Sequence, residues 1–199
     1  MLRFRLITFF AFLGIYALSF QIGATSEVSP EEANDFVQDF LSSTQNIDGF
    51  GIFFNNISAS LPMFIPGAGV GLGIYSAWST GFGFAAIITM APALADIEPL
   101  SILFDSPYGI MELVAYSISM SRSFHIVYSL AKKVTPTSLI KPSVVEIGIV
   151  IGLLLIAGFL EESMIALSTR SAPIIKRTYA KISKVGFDNL VFSVFFFGI

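Results

Sequence analysis

The stretch from Phe50 to Leu94 constrains the fold more than any other. It is apolar and rich in glycine over about 45 residues, twice the roughly 20 residues that one helical crossing of a bilayer needs. Two prolines and three glycines interrupt it at "PMFIPGAGVG", Pro62 to Gly71. Two spans are expected, with a tight turn or a re-entrant corner between them. Beyond the break, Gly67 and Gly71, and Gly69 and Gly73, stand in GxxxG register, and Gly81 and Gly83 follow. That spacing predicts close helix–helix approach; a broken helix lining a substrate path is the alternative.

Composition agrees. Charged residues make up 13% of the 199, hydrophobic ones 54%, and the mean hydropathy is +0.79. Soluble domains carry about a quarter charged residues, so an integral membrane protein in contact with lipid is expected. The net charge of −3 and the lack of a basic groove give no reason to expect a nucleic-acid partner. With no cysteine, disulfides, iron–sulfur clusters, c-type haem attachment and thiolate nucleophiles are excluded. One histidine, His125, cannot by itself build a His-rich metal or haem site, and no cofactor is expected.

Leu2 to Ile22 forms a first apolar run behind Arg3 and Arg5. It reads as an uncleaved span with a cytoplasmic N-terminus, with a secretory signal cut near "IGATS" as the competing reading. Ser29 reads as an N-cap, Pro30 as the first helical position, and Glu31 and Glu32 as first-turn acids. Phe36, Val37, Phe40 and Leu41 form an apolar stripe on this acidic helix. The stripe either lies on the rest of the protein or docks a partner, and the acids from Glu27 to Asp48 suggest an extracytoplasmic segment. "PALADIEPLSILFDSP" is expected to face outward. A fourth span follows over Pro107 to about Leu130, then the lysine-bearing cytoplasmic connection "AKKVTPTSLIKP", then a fifth span over Val144 to Leu167. "RSAPIIKRTYAKISK" carries five basic residues, yet five spans from a cytoplasmic N-terminus place it outside, against the positive-inside rule. Either it is an exception or one glycine-rich segment is re-entrant. "GFDNLVFSVFFFGI" is too short to cross comfortably, and its Phe192, Phe195 and Phe196 are partner-binding candidates.

Polar groups recur at bilayer depth: Asn55 and Asn56, Trp78 with Ser79 and Thr80, Glu112, Arg122, and Glu161 with Glu162. Such groups face the bundle interior and pair. They serve either as interhelical bonds of about 0.6–2 kcal/mol each or as a proton or substrate path. Glu112 lies one turn beyond Pro107, near the free backbone donors of a helix start, and Asn55 or Asn56 would suit it as an amide partner. The sequon Asn56-Ile57-Ser58 falls inside a span and reads as accidental. No nucleophile–base pair assembles, so no enzymatic activity is expected.

"PYGIMELVA" resembles the signature of the stage II sporulation protein M family, through Pro107, Gly109, Glu112 and Ala115. Tyr108 stands where the family pattern has a histidine, so no imidazole role carries over. The Asn-bearing "FFNNISASL" before a glycine-rich span, and a last span closing on glutamate in "IAGFLEES", also resemble the family, over roughly Phe50 to Met164. The resemblance implies a polytopic helical protein that acts as a membrane scaffold or complex subunit with no catalytic activity of its own.

The expected architecture is all-α: a polytopic transmembrane bundle of about five spans with an acidic extracytoplasmic helix and an amphipathic C-terminal tail. Its parts are a first transmembrane helix (1–24), the acidic helix (25–48), a membrane core (49–167) and a basic, apolar tail (168–199). The expected role is a multi-pass cell-membrane scaffold or accessory subunit partnered by other membrane subunits. A small transporter or channel using Glu112, Arg122 and Glu161 is the alternative.

Overall fold

The computed structural model describes residues 2–44 and 47–171. The described residues form helices and connecting turns, with no strand among them. In chain order these are α1 (Leu2–Ala24), α2 (Pro30–Thr44), α3 (Gly49–Ser60), α4 (Ala68–Met90), a short α5 (Ser101–Phe104), α6 (Pro107–Ala131) and α7 (Thr137–Ser171). The tail candidates Phe192, Phe195 and Phe196, and the side chain of Leu41, lie outside the described residues.

Local chemistry sets the starts. The Ser29 hydroxyl accepts from the Glu32 N–H at 3.3 Å while Glu32 Oε2 accepts from the Ser29 N–H and hydroxyl at 3.3 and 2.8 Å, a reciprocal capping box at the head of α2. Asp48 caps α3 through the Gly51 N–H, and Ser106 caps α6 through the Gly109 N–H just before Pro107. The break expected within 62–71 falls where the prolines stand. α3 ends at Ser60 and a 3₁₀ turn occupies Leu61–Phe64. Gly67, at a φ of 82° that side chains resist, then turns the chain into α4.

The expectation of about five spans is met in part. Among the described residues, three helical stretches are long and apolar enough to cross a bilayer: Arg3–Ala24, Ala68–Met90 and Pro136–Leu167. α3 has only 12 residues because Pro62 ends it. α6 has the length, but Glu112, Arg122 and a run of serines lower its hydropathy. The last helix is also longer than Val144–Leu167. It starts at Thr137 and runs through Pro142, which forgoes one hydrogen bond in the first turns. Residues that read as cytoplasmic loop are therefore helical, and the connection from α6 shrinks to 132–136.

α6 is central, packing against α1, α4 and α7. The core is built of Tyr16, Phe20, Ile52, Met63, Ile87, Leu113 and Met120, all fully enclosed. α1 and α4 run side by side and touch backbone to backbone: a Cβ on Gly23 would collide with the Trp78 carbonyl, and one on Gly81 with the Phe20 carbonyl. α2 lays its apolar stripe on α4, burying Val37 and Phe40 and setting Phe36 against Phe82 at 6.1 Å between ring centres. Phe36 and Phe40 are thus used within the chain, and the acids of α2 face outward.

Candidate functional site

α6 carries polar groups along its whole length, and nearly all are matched. Its "SISMSRS" run, Ser117 to Ser123, puts four serines on a buried helix. Ser117 and Ser119 donate back to the carbonyls of Leu113 and Ala115, at 2.6 and 2.9 Å, so their hydroxyls are satisfied without a distant partner. The small side chains let neighbours approach. Ser119 meets Ser60 at 2.9 Å. Ser123 clamps the turn before α4, donating to the Ile65 carbonyl at 2.6 Å and accepting from the Gly67 N–H at 3.1 Å.

Two charged layers lie on this scaffold. In the first, Asn56 of α3 donates its amide to Glu112 Oε1 at 2.5 Å. Asn56 is 1% exposed and Glu112 6%, and an amide donating to a carboxylate is among the stronger neutral–charged pairs. Asn55, one position earlier, is exposed and takes no part. The Asn56 of the Asn56-Ile57-Ser58 sequon is enclosed by the same contact, while Ser58 is exposed. Glu161, from α7, is 0% exposed and lies close enough to Glu112 for each carboxylate to feel the other's charge. Tyr108 and Tyr116 of α6 stand in the field of both, and Tyr16 of α1 stacks on Tyr116 at 5.3 Å. Glu162 points elsewhere: its carboxylate lies against the backbone of Gly49 at the head of α3, within 2.7 Å of where a Cβ would be. Pro107 and Gly109 position this layer by starting α6 on the Ser106 cap.

The second layer is an ion cluster. Glu146 of α7 receives two guanidinium groups, each through two nitrogens. Arg5 of α1 donates Nε to Oε1 at 2.9 Å and Nη2 to Oε2 at 2.5 Å. Arg122 of α6 donates Nε to Oε2 at 2.7 Å and Nη2 to Oε1. Arg5 also reaches the Ser121 hydroxyl at 2.6 Å and the Ile118 carbonyl at 3.3 Å. The planar, forked guanidinium suits this two-point contact. Sequence reasoning misses Glu146. Its signal is faint: a lone acid in a lysine-bearing segment, on the same chain as two arginines short of partners. The layers are about 15 Å apart along α6, ten residues at 1.5 Å each. Among the described residues, no three His, Asp or Glu side chains converge as a metal-ligand set.

A bundle of apolar helices whose inward-facing charges, Glu161 apart, are paired across helices defines an integral membrane protein of the helical class. The family model for stage II sporulation protein M matches residues 4–165, and the chain belongs to that family. The match begins well before Phe50, taking in α1 and α2, and stops short of the basic tail. Neither the comparison with curated proteins nor that with solved structures finds a match.

Proposed function

We propose that the chain is a non-enzymatic, multi-pass protein of the cell membrane that serves as a scaffold or accessory subunit of a larger membrane complex. The observation that carries this reading is the apolar surface of α7. Only 22% of its most apolar window is buried, against 50% for α4. Ile149, Ile156, Phe159 and Met164 are exposed along it. An open depression of about 320 Å³, lined by Leu155, Ile156, Phe159, Leu160 and Ser163, runs over the same face. A rigid bundle with one long apolar flank suits the seating of neighbouring subunits. Native electrophoresis after solubilisation in a mild detergent tests it. A monomer with no co-purifying membrane polypeptide would sink the reading; a discrete larger species that Phe159→Ala together with Ile156→Ala dissociates supports it.

The proposed topology has five crossings. α3 and its 3₁₀ turn together rise about 26 Å, 12 residues at 1.5 Å and four at 2.0 Å, close to the roughly 30 Å hydrocarbon core. Their polar contacts with α6 follow the same order along both segments, so the two run parallel. Arg3, Arg5, Lys132, Lys133 and Lys141 gather at one end of the bundle, which positive-inside bias makes cytoplasmic. The absence of native cysteine suits accessibility labelling. An impermeant maleimide should label Asp39→Cys in intact cells and Lys133→Cys only after permeabilisation; the reverse pattern would overturn the orientation.

A second reading, a small transporter or channel, is favoured by the enclosed carboxylates of Glu112 and Glu161. Liposome flux that Glu112→Gln leaves unchanged would count against it.

A further inference from the structure

Glu161 differs from every other enclosed charge in the bundle. It is 0% exposed, and neither of its carboxylate oxygens accepts a hydrogen bond among the described residues. Arg5, Arg122 and Glu146 satisfy one another, and Glu112 has Asn56. The groups that face Glu161 and Glu112 are Tyr108 and Tyr116 from α6, Tyr16 from α1 and Asn56 from α3, while Glu162, beside Glu161 on α7, is turned toward Gly49. None of these is a cation. The nearest guanidinium groups on the bundle's inner side are held by Glu146. On α6 that is about 15 Å along the axis from Glu112, and on α7 Glu146 lies about 22 Å from Glu161, at 1.5 Å per residue. No arginine can be lent to the pair without dismantling the second layer.

Two enclosed negative charges within range of each other, one of them without a hydrogen bond, are unstable in a low-dielectric interior unless a positive charge joins them. The Asn56 amide offsets part of one charge and leaves the other. The oxygen atoms here are hard donors, suited to a proton or an alkali cation and unsuited to a soft metal. We propose that Glu112 and Glu161 form a site for one monovalent cation, a proton or a sodium-sized ion, held between the two carboxylates at the junction of α3, α6 and α7. With a proton, one of the two carboxyl groups is neutral and the pair carries a single negative charge. With an alkali ion, the carboxylate oxygens supply ligands directly and the pair keeps the same net charge. The site is additional to the scaffold reading: it makes the integrity of the α3–α6–α7 junction depend on ion occupancy, whatever the bundle assembles with.

The test uses the full chain in lipid nanodiscs, in sodium or choline chloride at fixed ionic strength, from pH 6 to 9. In the proton case, infrared difference spectra of the wild type show a protonated carboxyl C=O band that disappears on alkalinisation and is absent from Glu161→Gln. The unfolding constant then rises by up to about tenfold per pH unit on the acid side of the titration, where the folded state binds one proton more than the unfolded state, and levels off once the band has gone. Sodium has no effect. In the alkali-ion case, sodium but not choline raises the unfolding temperature saturably, most at alkaline pH, and Glu161→Gln abolishes the response. A wild type with neither the carboxyl band nor a sodium response overturns the proposal, as does either signal persisting in both Glu161→Gln and Glu112→Gln. The wild-type measurements stand without any variant, so a variant that fails to fold does not shield the proposal.

Discussion

Arg5 and Glu146, 141 residues apart in the chain, meet through two hydrogen bonds at 2.9 and 2.5 Å and tie α1 to α7. Arg122 grips the same carboxylate from the other side. One acid thus pairs with two bases, leaving the cluster one net positive charge, and substituting the acid should not be equivalent to substituting one base.

Glu146→Ala strands both guanidinium groups, whereas Arg5→Ala leaves the Arg122–Glu146 pair intact. Breaking a buried pair by removing the partner costs about 3–5 kcal/mol. Loss of one charged hydrogen-bonding group whose partner stays satisfied costs about 1–3 kcal/mol. Detergent-phase thermal or denaturant unfolding should rank Glu146→Ala as the most damaging, with Arg5→Ala milder. The combination of Arg5→Ala with Glu146→Ala should be less damaging than the sum. Equal effects for the two single variants would mean that the cluster does not act as a unit.

Asn56→Ala removes the donor to Glu112 and should lower stability by about 1–2 kcal/mol, in the upper range for interhelical bonds in membranes. Asn56→Asp is nearly isosteric, but it adds an acid beside Glu112 and Glu161 and should be worse than alanine at neutral pH. Asn55→Ala, on the exposed side of the same helix, should be close to neutral. The comparison is made by unfolding temperature in one detergent; parity of the two Asn56 variants would deny an electrostatic role to the amide.

Much of this arrangement is legible in the chain because it is written locally. Ser29 with Glu32, Ser106 with Pro107, and the prolines and glycines of 62–71 mark where helices start and stop, and these depend only on neighbouring residues. Asn56 is readable as a partner for Glu112 because two polar residues in apolar spans have few choices. Glu146 is not, since its meaning comes from Arg5, on a helix at the other end of the sequence, and the nearby lysines disguise the start of α7 as a loop. The orphaned carboxylate of Glu161 is likewise a property of packing: Glu161 and Glu162 are adjacent and chemically identical, and only the helix rotation turns one inward and the other toward Gly49. The shortness of α3 is hidden by counting apolar residues, which registers length and not the 3₁₀ turn that Pro62 imposes.

The capping box of α2 predicts a local pH response. The Ser29 hydroxyl, then its backbone N–H, holds the exposed Glu32 carboxyl below its ordinary value of 4.5. A depressed carboxylate contributes stability that is present above the unfolded value and is lost as the pH falls through the folded one. The first turn of α2 should therefore loosen as the pH falls below 4.5, while the stripe on α4 holds the remainder. Hydrogen exchange of the segment 30–40, corrected for intrinsic rates, should show this acid response in the wild type. Glu32→Gln should flatten it, and identical profiles would show that the box makes no contribution.

The glycines predict opposite outcomes for the same substitution. A Cβ on Gly23 or Gly81 would run into backbone atoms of the facing helix, which cannot step aside as a flexible side chain can. Gly23→Ala and Gly81→Ala should force α1 from α4 and cost more than the roughly 1–3 kcal/mol typical of overpacking. Gly148 and Gly152, on α7, have nothing within 4 Å of where a Cβ would stand. Within this chain, alanine there gains helix propensity of up to about 1 kcal/mol and meets no clash. Unfolding of the isolated bundle should separate the two pairs cleanly. If Gly148→Ala or Gly152→Ala left that unfolding unchanged or raised it, yet dissociated the larger species seen on native gels, the exposed glycines would be part of the surface that seats the neighbouring subunit. If all four substitutions were equally harmless to unfolding, the close contact of α1 with α4 would not govern the packing of the bundle.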